Sequence, residues 1–303
     1  MSDFASRRSG STGVANGFLT ALERFVQTDR SSTVAGMRAA VLTWLREAQA
    51  AQRSMALVHQ LAVRALSIAD TSVSRGDPPA DLRGHLLASC QAERDDLARA
   101  VAEAARIASE LVTSREPLIA TLSHSGGVLA ALQAVIAAGR QPRVLVAESR
   151  PRLEGRDMAR AVAAAGIEAW LVADAALPFL ISQASALWIG ADAVTDVGVL
   201  NKIGSYTCAL AAREHGVPAW AIAMQRKLLP AATPALGIAE MPPAEIWEDP
   251  PPGVRPRNIY FEMVPMALLR GVVVENGVLG TTEVAVAAKD RELPPELAAA
   301  LSR

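Results

Sequence analysis

The sequence predicts an α/β protein in which a helical N-terminal domain, residues 1–112, precedes a Rossmann-like parallel-sheet domain, residues 113–303. Two observations lead to this prediction. In the first third of the chain, apolar residues recur only at helical spacing. After residue 113, short apolar runs of four to six residues alternate with helical patterns. Such alternation is typical of a parallel sheet covered by helices.

The N-terminal third is expected to contain three helices and then a longer one. Their apolar stripes are carried by residues Phe18–Val26, Val34–Leu45 and Met55–Leu66. Gly, Asp and Pro residues at Ser74–Pro79 break the helical pattern. The long helix follows from about Asp81 to Val112, and Cys90 belongs to its buried stripe.

The alternating part of the chain begins after a turn at Thr113–Pro117. The predicted strands are Leu118–Leu122, Val144–Ala147, Ala169–Val172, Leu187–Gly190 and Ala219–Ala223. The predicted helices are Val128–Ala138, Arg156–Ala165, Leu177–Gln183 and Ser205–His215. A proline-rich surface excursion is expected at Met241–Gly253. Because ligands of such sheets bind beyond the carboxyl ends of the strands, the strand-to-helix junctions should carry the function.

Composition narrows the possible partners. Of the 303 residues, 51% are hydrophobic, which excludes wholesale disorder. The 30 basic and 31 acidic residues give a net charge of −1, so direct binding of nucleic acid or of an anionic membrane is not expected. Two cysteines form no disulfide framework, and no apolar run of spanning length or secretory leader is evident. We therefore expect a cytoplasmic protein.

The first informative junction follows the strand that ends at Leu122. It contains His124, Ser125, Gly126 and Gly127, and a helix begins directly after it. Free amides at a helix N-terminus bind phosphate well, and glycines let the backbone approach a ligand closely. The alternative is an ordinary helix cap formed by a serine of this junction. No dinucleotide fingerprint or P-loop lysine is present.

Three arginines characterise the second junction, at positions 150, 152 and 156. Arginine binds phosphate in a bidentate manner, so this loop is a candidate anion site. The alternative is a solvated loop whose arginines pair locally with Glu148 and Glu154. The residues of this junction by themselves do not favour either interpretation.

The third junction is interpreted as a loop between Gly190 and Ser205 that carries Asp192, Asn201 and Lys202. A carboxylate, an amide and an ammonium group in one loop form a plausible cluster over a sugar. The alternative is turn chemistry, for which Asp and Asn are common residues.

The four histidines, His59, His85, His124 and His215, show no zinc-ligand spacing. We therefore expect no metal site.

Taken together, these segments resemble the translation initiation factor 2B subunit family, which also contains methylthioribose-1-phosphate isomerase and ribose-1,5-bisphosphate isomerase. The resemblance covers most of the chain and is carried by Glu148–Gly155, Gly190–Asp192, Asn201–Gly204, Arg213–Pro218, Arg53–Met55, Lys227–Pro230 and Asn258–Pro265. It implies a helical domain on a Rossmann-like domain and a homodimer or larger assembly. It also implies a pocket for a phosphorylated sugar or nucleotide.

The resemblance also implies roles for individual residues. Isomerases of this family have a catalytic aspartate and a catalytic cysteine, and Asp192 matches the aspartate. The substrate contacts implied by the family or by the junctions are Arg53, His124, Gly126, Gly127, Arg150, Asn201 and Lys202. A looser match places Arg8, near Gly10, in the family's N-terminal arginine segment.

Ser125 stands where the family's isomerases have cysteine, and neither Cys90 nor Cys208 matches that position. A thiol with a pKa near 8.5 can transfer protons near neutrality, whereas a serine hydroxyl needs an activating base. Because consecutive strand residues point in opposite directions, we do not expect His124 to activate Ser125. Two hypotheses follow. One is a cofactor-free aldose–ketose isomerase for a 1-phosphorylated pentose, with Asp192 and Ser125 catalytic. The other is a non-catalytic subunit that binds a sugar phosphate or nucleotide.

Overall fold

Four helices form the N-terminal part of the computed structural model, which describes residues 10–233, 236, 238–299 and 301. They are α1 (Ser11–Thr28), α2 (Val34–Ala51), α3 (Ala56–Arg75) and α4 (Pro79–Glu110). Their apolar stripes enclose one core around Phe18, Leu45 and Leu57. The α2 helix is capped by Thr33, whose Oγ1 accepts from the Gly36 amide at 3.1 Å. The predicted helices are thus confirmed.

Strands and helices alternate after α4. The strands are β1 (Leu118–Leu122), β2 (Arg143–Ala147), β3 (Glu168–Val172), β4 (Ala186–Ile189), β5 (Ala193–Val194), β6 (Gly198–Lys202), β7 (Ala219–Ile222), β8 (Glu240–Met241), β9 (Asn258–Ile259), β10 (Phe261–Pro265), β11 (Gly271–Val274) and β12 (Gly277–Leu279). The helices are α5 (Gly126–Ala137), α6 (Glu154–Ala164), α7 (Ala176–Leu180), α8 (Ser205–Glu214), α9 (Thr281–Ala288) and α10 (Pro295–Ala298).

The main sheet has seven strands in the order β12-β11-β7-β4-β1-β2-β3. Its strands are parallel, except that β12 runs antiparallel to β11. From β1 the chain winds outwards to β3 and then returns to the other side of β1 to form β4. Such a reversal leaves a crevice at the carboxyl ends of the two central strands. The α/β fold class with a Rossmann-like sheet is therefore confirmed.

Both faces of the sheet are covered, because the central strands are apolar on both sides. One face packs against α5 and α6, and the other packs against α7, α8 and α9. The long α4 helix belongs to two cores. Its N-terminal half packs among the other N-terminal helices, and Ala105 and Ala108 near its end pack on the sheet. The boundary predicted after residue 112 falls in the connection between α4 and β1.

Both cysteines are buried and unbonded to each other. Cys90 lies in the core of the N-terminal helices, and Cys208 lies in the core beside α8. Burial raises the pKa of the Cys90 thiol to about 11 and that of Cys208 to about 12. Neither thiol is therefore available as a nucleophile at neutral pH.

The interpretation of residues 190–205 as a loop is wrong. This stretch contains β5 and β6, and β6 pairs with β10 in a small antiparallel sheet. The partner strand comes about 60 residues later in the chain, from Phe261 to Pro265, so the local pattern carries no sign of the pairing. Asn201 and Lys202 consequently lie on a buried strand end rather than on a loop.

The segment Met241–Gly253 is mostly exposed, as predicted for a surface excursion. Among the residues that the structure describes, no helix is both long enough and apolar enough to cross a membrane.

Candidate functional site

A cavity of about 430 Å³ lies beyond the carboxyl ends of β1 and β4, where the winding of the sheet reverses. Residues from both parts of the chain line it: Gly10, Ser11, Ala50, Ala51, Gln52, Arg53, Ser54, Met55, Leu122, Ser123, His124, Ser125, Arg152, Glu154, Gly190, Ala191, Asp192, Asn201, Lys202, Ala239, Met241, Tyr260 and Phe261. The turn between α2 and α3 therefore closes the crevice that the sheet opens.

The cavity brings together six of the nine residues that the sequence analysis selected. They are Arg53, His124, Ser125, Asp192, Asn201 and Lys202. The other three do not line it. Gly127 packs toward Ile222 of β7 and Gly126 faces open space. Arg150 is exposed, and its backbone amide donates to Asp174 at 2.7 Å. Arg8 lies outside the described residues.

Asp192 follows β4 and has a rigid backbone. Its amide donates to the Leu200 carbonyl at 2.8 Å, and its own carbonyl accepts from the Ala56 amide at 3.0 Å. Burial raises the pKa of its carboxyl to about 6, and the ammonium groups of Lys227 and Lys202 limit the rise. A carboxyl that titrates near neutrality can both accept and return a proton, which is what a general acid–base catalyst needs.

Lys202 forms a buried ion pair with Glu154, the first residue of α6. Its Nζ donates to the two carboxylate oxygens at 2.9 and 3.0 Å. The same ammonium lies 4.8 Å from the centre of the Tyr260 ring. Because Lys202 is only 3% exposed, this pairing offsets the cost of burying its charge. Glu154, a candidate local partner of the arginines, is instead paired with Lys202 on β6.

In the arginine-rich junction, each of the two interpretations applies to a different arginine. Arg156 pairs with Glu148 at 2.8 Å, as expected for a solvated loop. Arg152 instead lines the cavity, with its guanidinium 5.8 Å from the centre of the Tyr260 ring. One arginine of this loop is thus in place to meet an anionic ligand, and it is not the one that the resemblance indicated.

The junction after β1 places His124 and Ser125 side by side in the cavity wall. The strand alternation on which opposite directions were expected does not extend to these two residues, because the strand ends at Leu122 and Ser123 adopts a φ of 60°. Both residues line the cavity, and the expectation that His124 does not activate Ser125 stays a prediction. The Ser125 Oγ accepts from the Val128 amide at 3.3 Å, so this serine caps α5 as in the alternative interpretation. His124 Nδ1 is buried and has no partner among the described residues, which leaves it for a polar group of a ligand.

Gly190 allows the close approach of these groups. A Cβ atom at this position would lie 2.9 Å from the Ser125 Oγ and 3.4 Å from the Asn201 Oδ1. Asn201 is held on its other side, because its Nδ2 donates to the Ser205 Oγ at 2.8 Å. A side chain at position 190 would therefore reduce the space between these two polar groups.

Arg53 enters the cavity from the turn between α2 and α3, and His59 stabilises that turn. The His59 Nε2 lies 2.9 Å from the Arg53 carbonyl, and its Nδ1 lies 3.2 Å from the Gln49 Nε2. These contacts are both satisfied when the neutral ring carries its proton on Nε2. Burial lowers the pKa of His59 to about 4.

This buried histidine predicts a loss of stability in mild acid. In the unfolded chain a histidine titrates near pH 6.5, so between about pH 6.5 and 4 the unfolded state binds the extra proton. The free energy of unfolding should fall across this range by up to roughly 3 kcal/mol on account of His59 alone. Urea unfolding at several pH values measures it. His59→Gln should flatten the profile, whereas the exposed control His215→Gln should leave it unchanged. Equal slopes for wild type and His59→Gln would contradict the prediction.

Four residues of this region were not among the predicted site residues. Glu154, Arg152 and Tyr260 line the cavity. Arg152 and Glu154 stand in the arginine-rich junction, and Tyr260 stands in a segment that carries the family resemblance. The fourth, Lys227, lies behind Asp192, where its Nζ donates to the Ser11 Oγ at 2.7 Å and to the Ala191 carbonyl at 2.6 Å. Burial lowers the pKa of Lys227 to about 8, and Asp192 opposes this effect. The available signal was its place in Lys227–Pro230, one of the segments that carry the family resemblance.

Comparison with known proteins identifies the family to which this chain belongs. The sequence profile of the initiation factor 2 subunit family matches residues 7–281. The chain belongs to this family. The resemblance seen in the sequence is thereby confirmed. Within the part of the chain that the structure describes, no group of three His, Cys, Asp or Glu residues could hold a metal ion.

Relatives within the initiation factor 2 subunit family carry different names. A translation initiation factor eIF-2B subunit 2-like protein of Pyrococcus furiosus is 32% identical over 179 residues, 58% of this chain and 62% of the relative. The ribose 1,5-bisphosphate isomerase of Haloterrigena turkmenica is 29% identical over 216 residues, 66% of each chain. The methylthioribose-1-phosphate isomerase of Cronobacter sakazakii is 34% identical over 206 residues, 60% of each chain. The chain thus spans about two thirds or less of these relatives' length.

A solved structure supports the family assignment over more of the chain. The translation initiation factor eIF-2B of Pyrococcus horikoshii has a TM-score of 0.76 and 25% identity, and the match covers 91% of this chain and 93% of that one. The family includes both sugar-phosphate isomerases and eIF-2B-like proteins, so the activity has to be argued from the cavity.

Proposed function

We propose that this chain binds a phosphorylated pentose in the cavity and interconverts its aldose and ketose forms without a metal or an organic cofactor. The proposal rests on one observation: a carboxyl whose pKa is raised by burial, Asp192, lines a cavity that also holds Arg53, Arg152 and Lys202. The cations suit a phosphate, and the carboxyl suits proton transfer.

The charge balance of the cavity supports an anionic ligand. Three cationic side chains line it against two carboxyls, Asp192 and Glu154, and a fourth cation, Lys227, lies behind Asp192. This local excess contrasts with the net charge of −1 for the whole chain. A phosphate that bears two negative charges would balance it, since paired charges are far less costly to bury than single ones.

The proposed reaction moves one proton between neighbouring carbons. Ring opening of a 1-phosphorylated aldose breaks the bond between C1 and the ring oxygen. The oxygen keeps the electron pair and takes up a proton from the medium, and C1 is left electron-poor. Asp192 then takes the proton of C2, which forms an enol phosphate, and returns it to C1. The C2 hydroxyl becomes a ketone and releases its proton to the medium, which replaces the proton that the ring oxygen took up. Atoms and electrons balance without an added reactant. Ser125 and His124 are placed to hydrogen-bond sugar or phosphate oxygens during these steps.

One observation favours a second candidate, a non-catalytic subunit that binds a sugar phosphate or nucleotide. The family's isomerases use a cysteine where this chain has Ser125, and both thiols of this chain lie in hydrophobic cores. The Ser125 hydroxyl caps α5 and has no side-chain base hydrogen-bonded to it in the described structure. For either candidate, family membership supports assembly into a homodimer or larger oligomer. A cytoplasmic location stays a prediction.

A ligand-binding series tests the proposal. Ribose 1,5-bisphosphate, methylthioribose 1-phosphate and adenosine monophosphate are compared with unphosphorylated ribose by thermal shift, followed by NMR detection of ketose. At a hundredfold excess over Kd, a pentose phosphate should stabilise the protein by about 2.7 kcal/mol, and ketose should accumulate. Lys202→Met should abolish the shift, whereas the control Arg156→Gln, outside the cavity, should not.

Each outcome of this series has a defined meaning. Stabilisation by a pentose phosphate with turnover supports the isomerase. Stabilisation without turnover, or turnover only in Ser125→Cys, supports the non-catalytic subunit. If no phosphorylated compound changes the melting temperature, both candidates are wrong.

A further inference from the structure

Arg53 is held by a segment of the chain that the proposed chemistry does not use. Its Nη2 donates to the carbonyl of Leu301 at 2.7 Å. Its Nε is buried and has no acceptor among the described residues, although the side chain lines the cavity. One donor of this guanidinium is therefore bound within the protein, while another is left for a ligand.

The C-terminal segment, described at residues 295–299 and 301, carries this carbonyl and is itself attached to α2. Arg38 donates to both carboxylate oxygens of Glu296, at 3.2 and 2.5 Å, and Arg46 donates to the Glu296 carbonyl at 2.8 Å. The side chains of Leu297 and Leu301 are buried, with exposures of 0% and 3%. The position of the Leu301 carbonyl is thus fixed by the bidentate Arg38–Glu296 pair, by the hydrogen bond from Arg46 and by the two buried leucine side chains.

Arg53 is consequently restrained at both ends. Its backbone carbonyl contacts the buried ring of His59, and its guanidinium is bound to Leu301. A flexible arginine loses rotamer entropy when it binds a ligand, and an arginine that is already ordered loses less. The remaining N–H groups can then meet a phosphoryl oxygen in the planar geometry that guanidinium groups prefer.

We propose that the C-terminal segment, described at residues 295–299 and 301, is a positioning element of the ligand site, in which the Leu301 carbonyl orients Arg53 toward a phosphoryl group of the ligand. This inference rests on the proposed function, because it takes a pentose phosphate as the ligand. Leu301 is a positioning residue and has no direct part in the chemistry. The segment gives the site affinity for phosphate without adding a charge to the cavity.

A double-mutant cycle tests the inference with ribose 1,5-bisphosphate as the probe. The four proteins are wild type, a deletion of residues 301–303, Arg53→Met, and the combination. The deletion should weaken binding about tenfold, the usual scale of one hydrogen bond to a charged group. In the Arg53→Met background the deletion should have no further effect, because its action passes through Arg53. A tenfold loss in both backgrounds, or no loss in either, would overturn the inference.

A second pair of variants covers the case in which the deletion unfolds the protein. Glu296→Gln weakens the anchor of the segment on Arg38, and it should reduce affinity by about three- to tenfold. Asp70→Asn is the matched control, because Asp70 binds the same Arg38 at 2.7 Å but is not part of the segment. Equal effects of these two variants would count against the proposal.

A measurement without ligand separates this inference from the proposed function. The heteronuclear NOE of the Arg53 Nε–H group reports whether the side chain is ordered in the free protein. It should be high in wild type and fall in the deletion variant, and an unchanged value would overturn the inference. Failure of wild type to bind any pentose phosphate would instead overturn the proposed function, whatever the NOE shows.

Discussion

Replacing Asp192 with asparagine is expected to lower aldose–ketose turnover by roughly 10²–10⁴-fold, the range for loss of a general base. Asparagine has nearly the same shape but cannot accept a proton. Binding should change little, because the cations of the cavity remain, so the loss should appear in kcat rather than in KM. Steady-state kinetics with ribose 1,5-bisphosphate measures both constants.

The pH profile provides an independent test of the same residue. Burial raises the pKa of Asp192 to about 6, so kcat/KM should rise with pH through this value as the base ionises. Asp196→Asn is the matched control, since Asp196 follows four residues later and does not line the cavity. Asp192→Asn with turnover within tenfold of wild type would show that another group takes the proton.

Gly155→Ala is expected to destabilise the protein by roughly 3 kcal/mol, the upper part of the usual range for overpacking. A Cβ atom at this position would lie 1.8 Å from the Ala147 carbonyl oxygen and 2.9 Å from the Glu148 carbonyl carbon. Both contacts are with backbone at the end of β2, so no side-chain rotation relieves them. Helix α6 would have to move away from the strand, and Glu154 would move with it.

Gly126→Ala provides the matched control for this substitution. Gly126 also lies in the first turn of a helix that follows a central strand, yet a Cβ atom there would meet nothing within 4 Å. This variant should change the free energy of unfolding by less than about 1 kcal/mol. Urea unfolding gives both values, and thermal shift with ribose 1,5-bisphosphate reports the site. A loss below about 1 kcal/mol in Gly155→Ala would contradict the predicted clash.

Much of the fold was predictable because it depends on local patterns. The run Leu118–Leu122 was predicted as a strand with the bounds that the structure has, since five consecutive apolar or β-branched residues suit a strand buried on both faces. Helix α8 begins at Ser205 as predicted. The positions of Asp192 and Arg53 in one cavity followed from the resemblance and from the rule that ligands bind at strand ends.

The partners of the charged groups were not predictable, because they depend on contacts between distant parts of the chain. Lys202 and Glu154 are 48 residues apart and meet only because β6 pairs with β10 beside α6. In the arginine loop, the local backbone conformation also made the directions of the side chains unpredictable. Ser149 and Leu153 adopt φ angles of 65° and 63°, so successive side chains do not point alternately to opposite sides as they do in a strand.

The sequence by itself determined the N-terminal helices, the alternation of β1–β4 and β7 with their helices, the apolar cores and the edge of the sheet where a ligand would bind, because these depend on short-range periodicity and on the geometry of parallel sheets. Only the tertiary structure decided that Arg152 rather than Arg150 reaches the cavity, that Ser125 caps a helix, and that Leu301 holds Arg53. The physical reason is that side-chain direction depends on φ and ψ in irregular segments and on partners brought together by the fold.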